Sequence, residues 1–474
     1  MNSILASDSA SLNDILSATK TLAEKYFSKQ RDLPPGIFVP DLEFESLSQQ
    51  GIGAKATLTY FEKKYADKIT NSAGPRYFGF VTGGSTPAAV AGDWLVSTYD
   101  QNACGSNDSI APQLERQTLH FLKQLFGLDE SYFGTFVTGA TLSNFTNLAV
   151  ARQWVGEQNN IDFSTDGVFS SSPIKIVSGT PHSSVVKSLA MLGIGRNSVI
   201  RIETMPDREA VNITALEDYL RDHREPLIVV ANAGTVNTVD FDDLVAIGKL
   251  KETYNFWLHV DAAFGGFAAC SEKFRHYVEG INHADSVTVD AHKWLNVPYD
   301  AAMQFTRHKN LQLKVFQNSA AYLTDPEKSQ DYFHYTPESS RRFRALPSWF
   351  TLMAYGREGY KEIVERNCRI AFKLTDLLKN SDKFRLLAPT RMNVLCFTLS
   401  HANVSTEDIR TFLAAIRDDG RAYFTPTVYK GIPGIRAAVS NWQTEDHDIE
   451  ITFQALSEVH QALYNRKQNV AVVS

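Results

Sequence analysis

The segment DSVTVDAHKWLNVPYD (285–300) places an amine where an apolar run stops, because the β-branched stretch ahead of it ends in Asp290-Ala291-His292-Lys293-Trp294. A lysine beside an aromatic ring at a strand-to-loop junction can be stripped of water, which leaves a neutral amine able to attack an aldehyde. The same HKW triplet also suits a solvated loop lysine. A second run, WLHVDAAFGG (257–266), ends in Asp261 and continues in residues small enough for a flat ring to approach the backbone. A carboxylate in such a place is costly without a cationic partner. The protonated nitrogen of pyridoxal phosphate is one, and holding that proton makes the ring an electron sink for a carbanion at a substrate Cα. The plainer alternative for Asp261 is the cap of a helix.

Two further segments carry possible chemistry. YFGTFVTGATLSNFTNLAVARQW (132–154) runs from an apolar strand through Thr138-Gly139-Ala140-Thr141 into a helical pattern. Small residues at a helix start leave N–H groups free for a phosphate, helped by the helix dipole. Glycine at a strand-to-helix turn is common, so this signal is weak alone. In VSGTPHSSVVKSLAMLG (177–193), His182 follows a strand and heads a helix. Its imidazole could stack on a cofactor ring, or simply cap the helix.

These residues need a scaffold that brings strand ends together. IKIVS (174–178), SVIRI (198–202), LIVVA (227–231), FWLHV (256–260), DSVTV (285–289) and AAMQF (301–305) read as strands buried on both faces. HSSVVKSLAMLG, ALEDYLRDHR and DDLVAIGKLKETYN between them carry helical apolar stripes. The fold class is therefore α/β with a mainly parallel sheet, whose ligands sit at the carboxyl ends of strands. Residues 11–28 predict an amphipathic helix, with Ser11 and Asp14 spaced as a capping box. The proline-rich RDLPPGIFVP (31–40) cannot continue it and reads as an extended connector. After residue 350 a long helical stretch leads to the strand-like NVLCFTLS and IRAAVSN, predicting a smaller α+β lobe. The expected organisation is an N-terminal helical arm over 1–72, a large cofactor-binding domain over 73–350 and a small C-terminal domain over 351–474.

Composition removes other classes of function. The 474 residues hold 47 Lys plus Arg against 53 Asp plus Glu, with no long run of like charge, so a nucleic-acid partner is not expected. No apolar run suits a bilayer, and the N-terminus lacks the pattern of a secretory signal, so the expectation is cytoplasmic residence without a membrane partner. Cys104, Cys270, Cys368 and Cys396 are scattered, which predicts reduced, buried thiols and no metal site.

In order and content these segments resemble the group II pyridoxal-dependent decarboxylases, the family of aromatic L-amino acid, histidine and glutamate decarboxylases. The resemblance covers roughly residues 70–445 and rests on GPRYFGFVTGG (74–84), TGATLSN (138–144), HSSVVK (182–187), ANAGTVNTVDFDDL (231–244), WLHVDAAFGG and VDAHKWLN (289–296). It implies the PLP-dependent transferase fold of type I. It also implies pyridoxal 5'-phosphate as cofactor, an L-amino acid as substrate with an aromatic one favoured, and a homodimer in which the arm packs on the neighbouring subunit. By the same resemblance Lys293 is the Schiff-base lysine, Asp261 the partner of the pyridine nitrogen and His182 the stacking residue. Ala140 and Thr141 belong to the phosphate cup, His292 contacts the phosphate, Ala263 packs under the ring, and Thr235 lies near the cofactor. Phe80, Val81, Gly83 and Gly84 are candidate pocket residues, and Arg436 in GIRAAVSN could meet a substrate carboxylate or a structural acid.

Aromatic and glutamate members also carry a tyrosine on a loop after the lysine. NSAAYLTDPEKSQDYFHY (318–335) looks like that loop, with Tyr322 in the expected place and Tyr332 and Tyr335 as competitors. The phenol would protonate the substrate carbon once carbon dioxide has left, whereas related aldehyde synthases have phenylalanine there. Two departures bear on specificity. Ala233-Gly234-Thr235-Val236 lacks the paired threonines of many relatives, and Gly74-Pro75 replaces the usual His-Pro. Rival readings are another reaction of the same cofactor (aldehyde-forming oxidative deamination, lysis or transamination) or a non-catalytic partner protein. Lys293, Asp261, His182 and Tyr322 occurring together argue against the last.

Overall fold

The computed structural model describes residues 1–39, 41–105, 109–169, 172–318, 325–326 and 331–471, with side chains through residue 464. Its centre is a seven-stranded sheet built from β1 (Phe133–Val137), β2 (Ile176–Ser178), β3 (Val199–Arg201), β4 (Leu227–Asn232), β5 (Phe256–Asp261), β6 (Ser286–Asp290) and β7 (Ala302–Thr306), in the order β1-β7-β6-β5-β4-β2-β3. The neighbours from β3 to β6 pair in parallel, and β7 runs antiparallel to both β6 and β1. All six runs predicted as strands are strands.

Every residue of β4, β5, β6 and β7 is buried. Alternate residues feed separate cores, as the two-residue period of a strand requires. Ile228, Val230 and Trp257 pack with Leu148 of the helix Ala140–Gln158 and Val185 of the helix Ser183–Met191. Val229, Ala231, Leu258, Val260, Val287 and Val289 join a larger core with Leu119 and Leu122 of the helix Ala111–Phe126. A buried pair braces this side: Arg341 donates to both oxygens of Glu115 at 3.1 and 2.7 Å and to the carbonyls of Ala103 and Phe136.

The C-terminal part is an antiparallel sheet of β8 (Phe384–Leu386), β9 (Val394–Leu399), β10 (Thr425–Tyr429) and β11 (Ile432–Ala438), in the order β10-β11-β9-β8. Lys430 and Gly431, both at positive φ (48° and 78°), make the two-residue turn of the β10–β11 hairpin. The long helix Ala345–Lys379 connects this sheet to the larger core and is broken at Gly356 (φ 59°, ψ −166°), so the stretch predicted as one helix is two runs. Its Tyr360 and Cys368 belong to the larger core and its Ile370 and Leu374 to the smaller one.

The N-terminal reading needs one correction. Ser11 starts no capping box, because a helix Ser3–Ala10 runs straight into Leu12–Phe27 and the Ser11 hydroxyl donates to the Ser7 carbonyl at 2.9 Å. Asp14 pairs with Lys55 instead. A true capping box occurs at Ser405 and Asp408, ahead of the helix Thr406–Asp419.

Candidate active site

The carboxyl ends of three adjacent parallel strands converge. Asn232 of β4 lies in register with Asp261 of β5, and β6 beside it ends at Asp290. Lys293 follows in the one-turn helix Ala291–Trp294, its Nζ 3.4 Å from Asp290 Oδ2 and 5.7 Å from the centre of the Phe264 ring. Asp290 is fully buried. Burial alone would push its carboxyl up, but Lys293 and His292 outweigh it and hold the group below the usual carboxylate range. Nothing in the sequence had marked Asp290 as more than the end of a strand.

Asp261 is 6% exposed and accepts from Asn144 Nδ2 at 3.0 Å and from the Ala263 amide at 3.2 Å. Among the described residues it forms no ion pair. His182 is the N-cap of the helix Ser183–Met191, so the plainer reading of it is correct as far as it goes. Its Nδ1 faces the amide (3.2 Å) and hydroxyl (2.7 Å) of Ser184, while the ring also lines the cavity that holds Lys293 and Asp261. Burial lowers the His182 pKa, favouring the neutral imidazole.

The turn after β1 carries the expected cup. Gly139 is the N-cap of the 19-residue helix Ala140–Gln158 and no side chain caps it, so the first amides, at Ala140 and Thr141, are not used by a cap. A Cβ at Gly139 would meet His292 Cε1 at 3.3 Å. His292 thus presents a ring edge to the cup. Its Nδ1 accepts from the Ala301 amide at 3.3 Å and its Nε2 lies 3.2 Å from Asp290 Oδ1.

A cavity of about 700 Å³ gathers Lys293, Asp261, His182, Thr235, Ala263 and Phe80, together with Val81, Phe264, Val428, Glu209 and Arg436. Gly83 and Gly84 do not line it. They let the loop press on neighbouring backbone, since an added Cβ at Gly83 would overlap the Lys293 carbonyl and Gly84 has φ +67°. Asn296 fastens that contact, its Nδ2 facing the carbonyls of Gly83 (2.9 Å), Lys293 (3.1 Å) and Ser440 (2.9 Å). Phe80 and Val81 both sit at positive φ, 55° and 61°. For a β-branched residue that is strain held in place by its surroundings.

Arg436, on β11, is 8% exposed and has no carboxylate partner among the described residues, where its guanidinium makes one hydrogen bond, to the Val236 carbonyl at 3.4 Å. Burial lowers its pKa. Of the two alternatives in the sequence, the structural acid is therefore absent among those residues. The Thr235 hydroxyl donates to Glu209, which lines the same cavity, at 2.5 Å and accepts from the Asp240 amide, so its proton is already engaged. Glu209, Asn144 and Asp290, like the cavity-lining Phe264 and Val428, are among the residues that sequence reasoning missed. Asn144 stood inside the TLSN segment, and its polar neighbours Ser143 and Asn147 on an otherwise buried helix were the available signal.

Tyr322 lies outside the described residues. Its two competitors are far from free: Tyr332 is buried under the Arg341 guanidinium (4.7 Å to the ring centre), and Tyr335 packs on Phe133 and Lys309. Neither lines the cavity.

A lysine, a carboxylate with no ion pair among the described residues and an imidazole line one cavity, and a helix start without a side-chain cap lies at the same carboxyl edge of the parallel strands. The sequence matches the family model described as the pyridoxal-dependent decarboxylase conserved domain over residues 45–400, and the chain belongs to that family. It is 28% identical over 431 residues to an aromatic-L-amino-acid decarboxylase of Bacillus atrophaeus, covering 87% of this chain and 88% of that one. Tryptophan decarboxylase of Catharanthus roseus, solved with L-tryptophan, shares the fold at a TM-score of 0.85 and 21% identity, over 96% of this chain and 98% of that one. A 4-hydroxyphenylacetaldehyde synthase of Rhodiola rosea does so at 0.81 and 21%, over 98% and 99%.

The protein is thus a pyridoxal-phosphate-dependent amino-acid decarboxylase. The residues present fit that cofactor: the helix start beside Gly139 has no side-chain cap, and the buried Asp261 has no cation partner among the described residues. Among the described residues no three His, Cys, Asp or Glu side chains gather as metal ligands, and no helix is long and apolar enough to cross a membrane.

Proposed function

We propose that this chain removes the α-carboxylate of an aromatic L-amino acid to give the amine, with Lys293, Asp261, His182 and Tyr322 as its catalytic residues. The observation that carries the reading is the one cavity that holds Lys293, Asp261, His182 and the Arg436 guanidinium, which has no acid partner among the described residues. When bound, the cofactor supplies an electron sink for the bond broken at the substrate Cα.

In this reading Lys293 would hold the cofactor by its aldehyde and Asp261 would hold its ring nitrogen and keep it protonated. His182 and Ala263, which line the same cavity, would confine the ring. The amides of Ala140 and Thr141 would bind the phosphate, and His292, whose ring lies beside Gly139, would order that end. Arg436 meets the substrate carboxylate before it leaves; a buried guanidinium without an acid gains most from such a partner. Phe80, Val81, Phe264 and Val428 offer apolar surface to an aromatic side chain. Tyr322 returns a proton to Cα. The activity of the relatives on aromatic amino acids supports the substrate class.

The working unit is a homodimer in the cytoplasm. The helices Ser3–Ala10, Leu12–Phe27 and Ala54–Lys64 bury none of their residues in the single chain, and Leu5, Leu12, Leu16, Phe44 and Leu47 are exposed, as an arm that packs on a second copy would be. Sedimentation of an active monomer would refute the dimer. The activity is tested by screening the twenty amino acids and L-DOPA for carbon dioxide release, with amine and aldehyde measured as products. Release from aliphatic substrates alone, or aldehyde as the main product, would overturn the reading.

A further inference from the structure

We propose that Asn144 is a positioning residue, whose single side-chain amide holds Asp261 as an acceptor for the cofactor's ring nitrogen and fixes the proton of His182 on Nε2. The proposal rests on the reading of Asp261 above. Asn144 lies in the second turn of the helix Ala140–Gln158 and is fully buried. It joins two branches of a buried hydrogen-bond chain whose direction can be worked out atom by atom.

A carboxylate only accepts, so the Nδ2 of Asn144 must face Asp261 Oδ2, 3.0 Å away. Its Oδ1 then faces His259 Nε2 at 2.9 Å and requires a proton there. His259 is completely buried and burial lowers its pKa to about 4, so the ring carries one proton and Nδ1 is bare. That bare nitrogen accepts the Ser286 hydroxyl at 2.9 Å. Ser286 Oγ in turn accepts the Trp257 indole N–H at 3.0 Å, from a group that can only donate.

The other branch continues in the same sense. The second N–H of Asn144 goes to Ser184 Oγ at 3.0 Å, which leaves the Ser184 proton for His182 Nδ1 at 2.7 Å. The Ser184 amide reaches the same nitrogen at 3.2 Å. With two donors on Nδ1, the one proton of His182 must sit on Nε2. Every hydrogen from Trp257 to His182 therefore points one way, and Asn144 is the branch point that also serves Asp261.

The chemical consequence follows from charge. Side-chain and backbone donors to Asp261 are neutral, so its charge is left for the ring nitrogen, whereas an ammonium or guanidinium in Asn144's place would compete for it. Replacing the amide by a carboxylate of equal size removes both donors and sets two acids against each other.

The test uses purified protein equilibrated with pyridoxal phosphate, with affinity read from tryptophan fluorescence and visible absorbance. Nitrogen-15 spectra of histidine-labelled protein report the tautomer of His182. Asn144→Asp should weaken cofactor binding about ten- to a hundredfold, the range expected for losing a hydrogen bond to a charged group. It should also spread the His182 proton over both nitrogens. His259→Gln removes the imidazole behind Asn144 while leaving the direct donor to Asp261, and should shift affinity in the same direction by a smaller factor. Wild-type affinity with a single His182 tautomer in Asn144→Asp overturns the proposal. If that variant does not fold, the same wild-type result in His259→Gln overturns it. Asp261→Asn is the reference: if it leaves cofactor affinity and absorbance unchanged, the reading of Asp261 itself falls, whereas a changed Asp261→Asn beside an unaltered Asn144→Asp sinks only the role of Asn144.

Discussion

His259 should make the folded protein acid-sensitive, and the size of the effect can be worked out. In the unfolded chain its imidazole takes a proton at its ordinary value of 6.5, whereas in the folded protein burial lowers this to about 4. Between those values the folded state binds fewer protons than the unfolded one. Stability from this residue is therefore fully present above pH 6.5 and is lost as the pH falls toward 4. At pH 5 the unfolded imidazole is almost wholly charged and the folded one mostly neutral, a difference of about 2 kcal/mol. His259→Gln removes the titration. It also loses the bond from Ser286, so it should lower stability at pH 7.5 by about 1–3 kcal/mol. The two effects separate in a series of urea unfolding midpoints between pH 7.5 and 5. The variant starts lower, and its decline over that interval should be about 2 kcal/mol smaller than that of the natural protein. His182, also lowered by burial, titrates in both proteins and cancels in the comparison. Two parallel curves would refute the assignment of His259 as a buried neutral ring.

Four further outcomes are expected. Lys293→Ala should abolish turnover and the covalent imine while pyridoxal phosphate still binds weakly at the Gly139 turn; borohydride labelling of a different lysine in the natural protein would move the site. Asp261→Asn should lower kcat by several orders of magnitude with little change in thermal midpoint, because a neutral amide cannot hold the ring nitrogen protonated; near-normal rates would place that partner elsewhere. Tyr322→Phe should still release carbon dioxide but shift the product from amine toward aldehyde, ammonia and peroxide, and an unchanged amine yield would remove Tyr322 from the mechanism. Glu115→Gln leaves the fully buried Arg341 without its counter-charge and should cost about 3–5 kcal/mol in unfolding free energy, whereas a loss under 1 kcal/mol would mean the pair is hydrated.

Much of the site was legible before any coordinates, for definite reasons. Lys293, Asp261 and Gly139 each follow a run of β-branched or aromatic residues that can only be a buried strand, so their placement at strand ends followed from local pattern. Arg436 was legible as a cation in a strand, but that no acid meets it among the described residues was not, because its surroundings are set by the β-hairpin and the 234–237 turn. Gly83 and Gly84 were expected in the pocket from their place in the family-like segment GPRYFGFVTGG. Their smallness serves the backbone contact with Lys293 and Asn441 instead, a packing relation between segments more than 200 residues apart. The supposed cap at Ser11 failed because a second helix precedes it, and local spacing cannot report what has already satisfied a hydroxyl.

The sequence by itself determined the strands and their burial on both faces, since each depends on a few neighbouring residues and their periodicity, while its resemblance to a known family pointed to the kind of cofactor and to the lysine and acid proposed to hold it. Only the tertiary structure decided which polar side chains back those residues up. Asn144, His259, Ser184 and Ser286 come from two strands and two helices, and Asp290 reaches His292 and Lys293 only because the chain turns at once into a short helix. Hydrogen-bond direction and electrostatic pairing act over about 3 Å in space, and sequence separation carries almost no information about distances of that size.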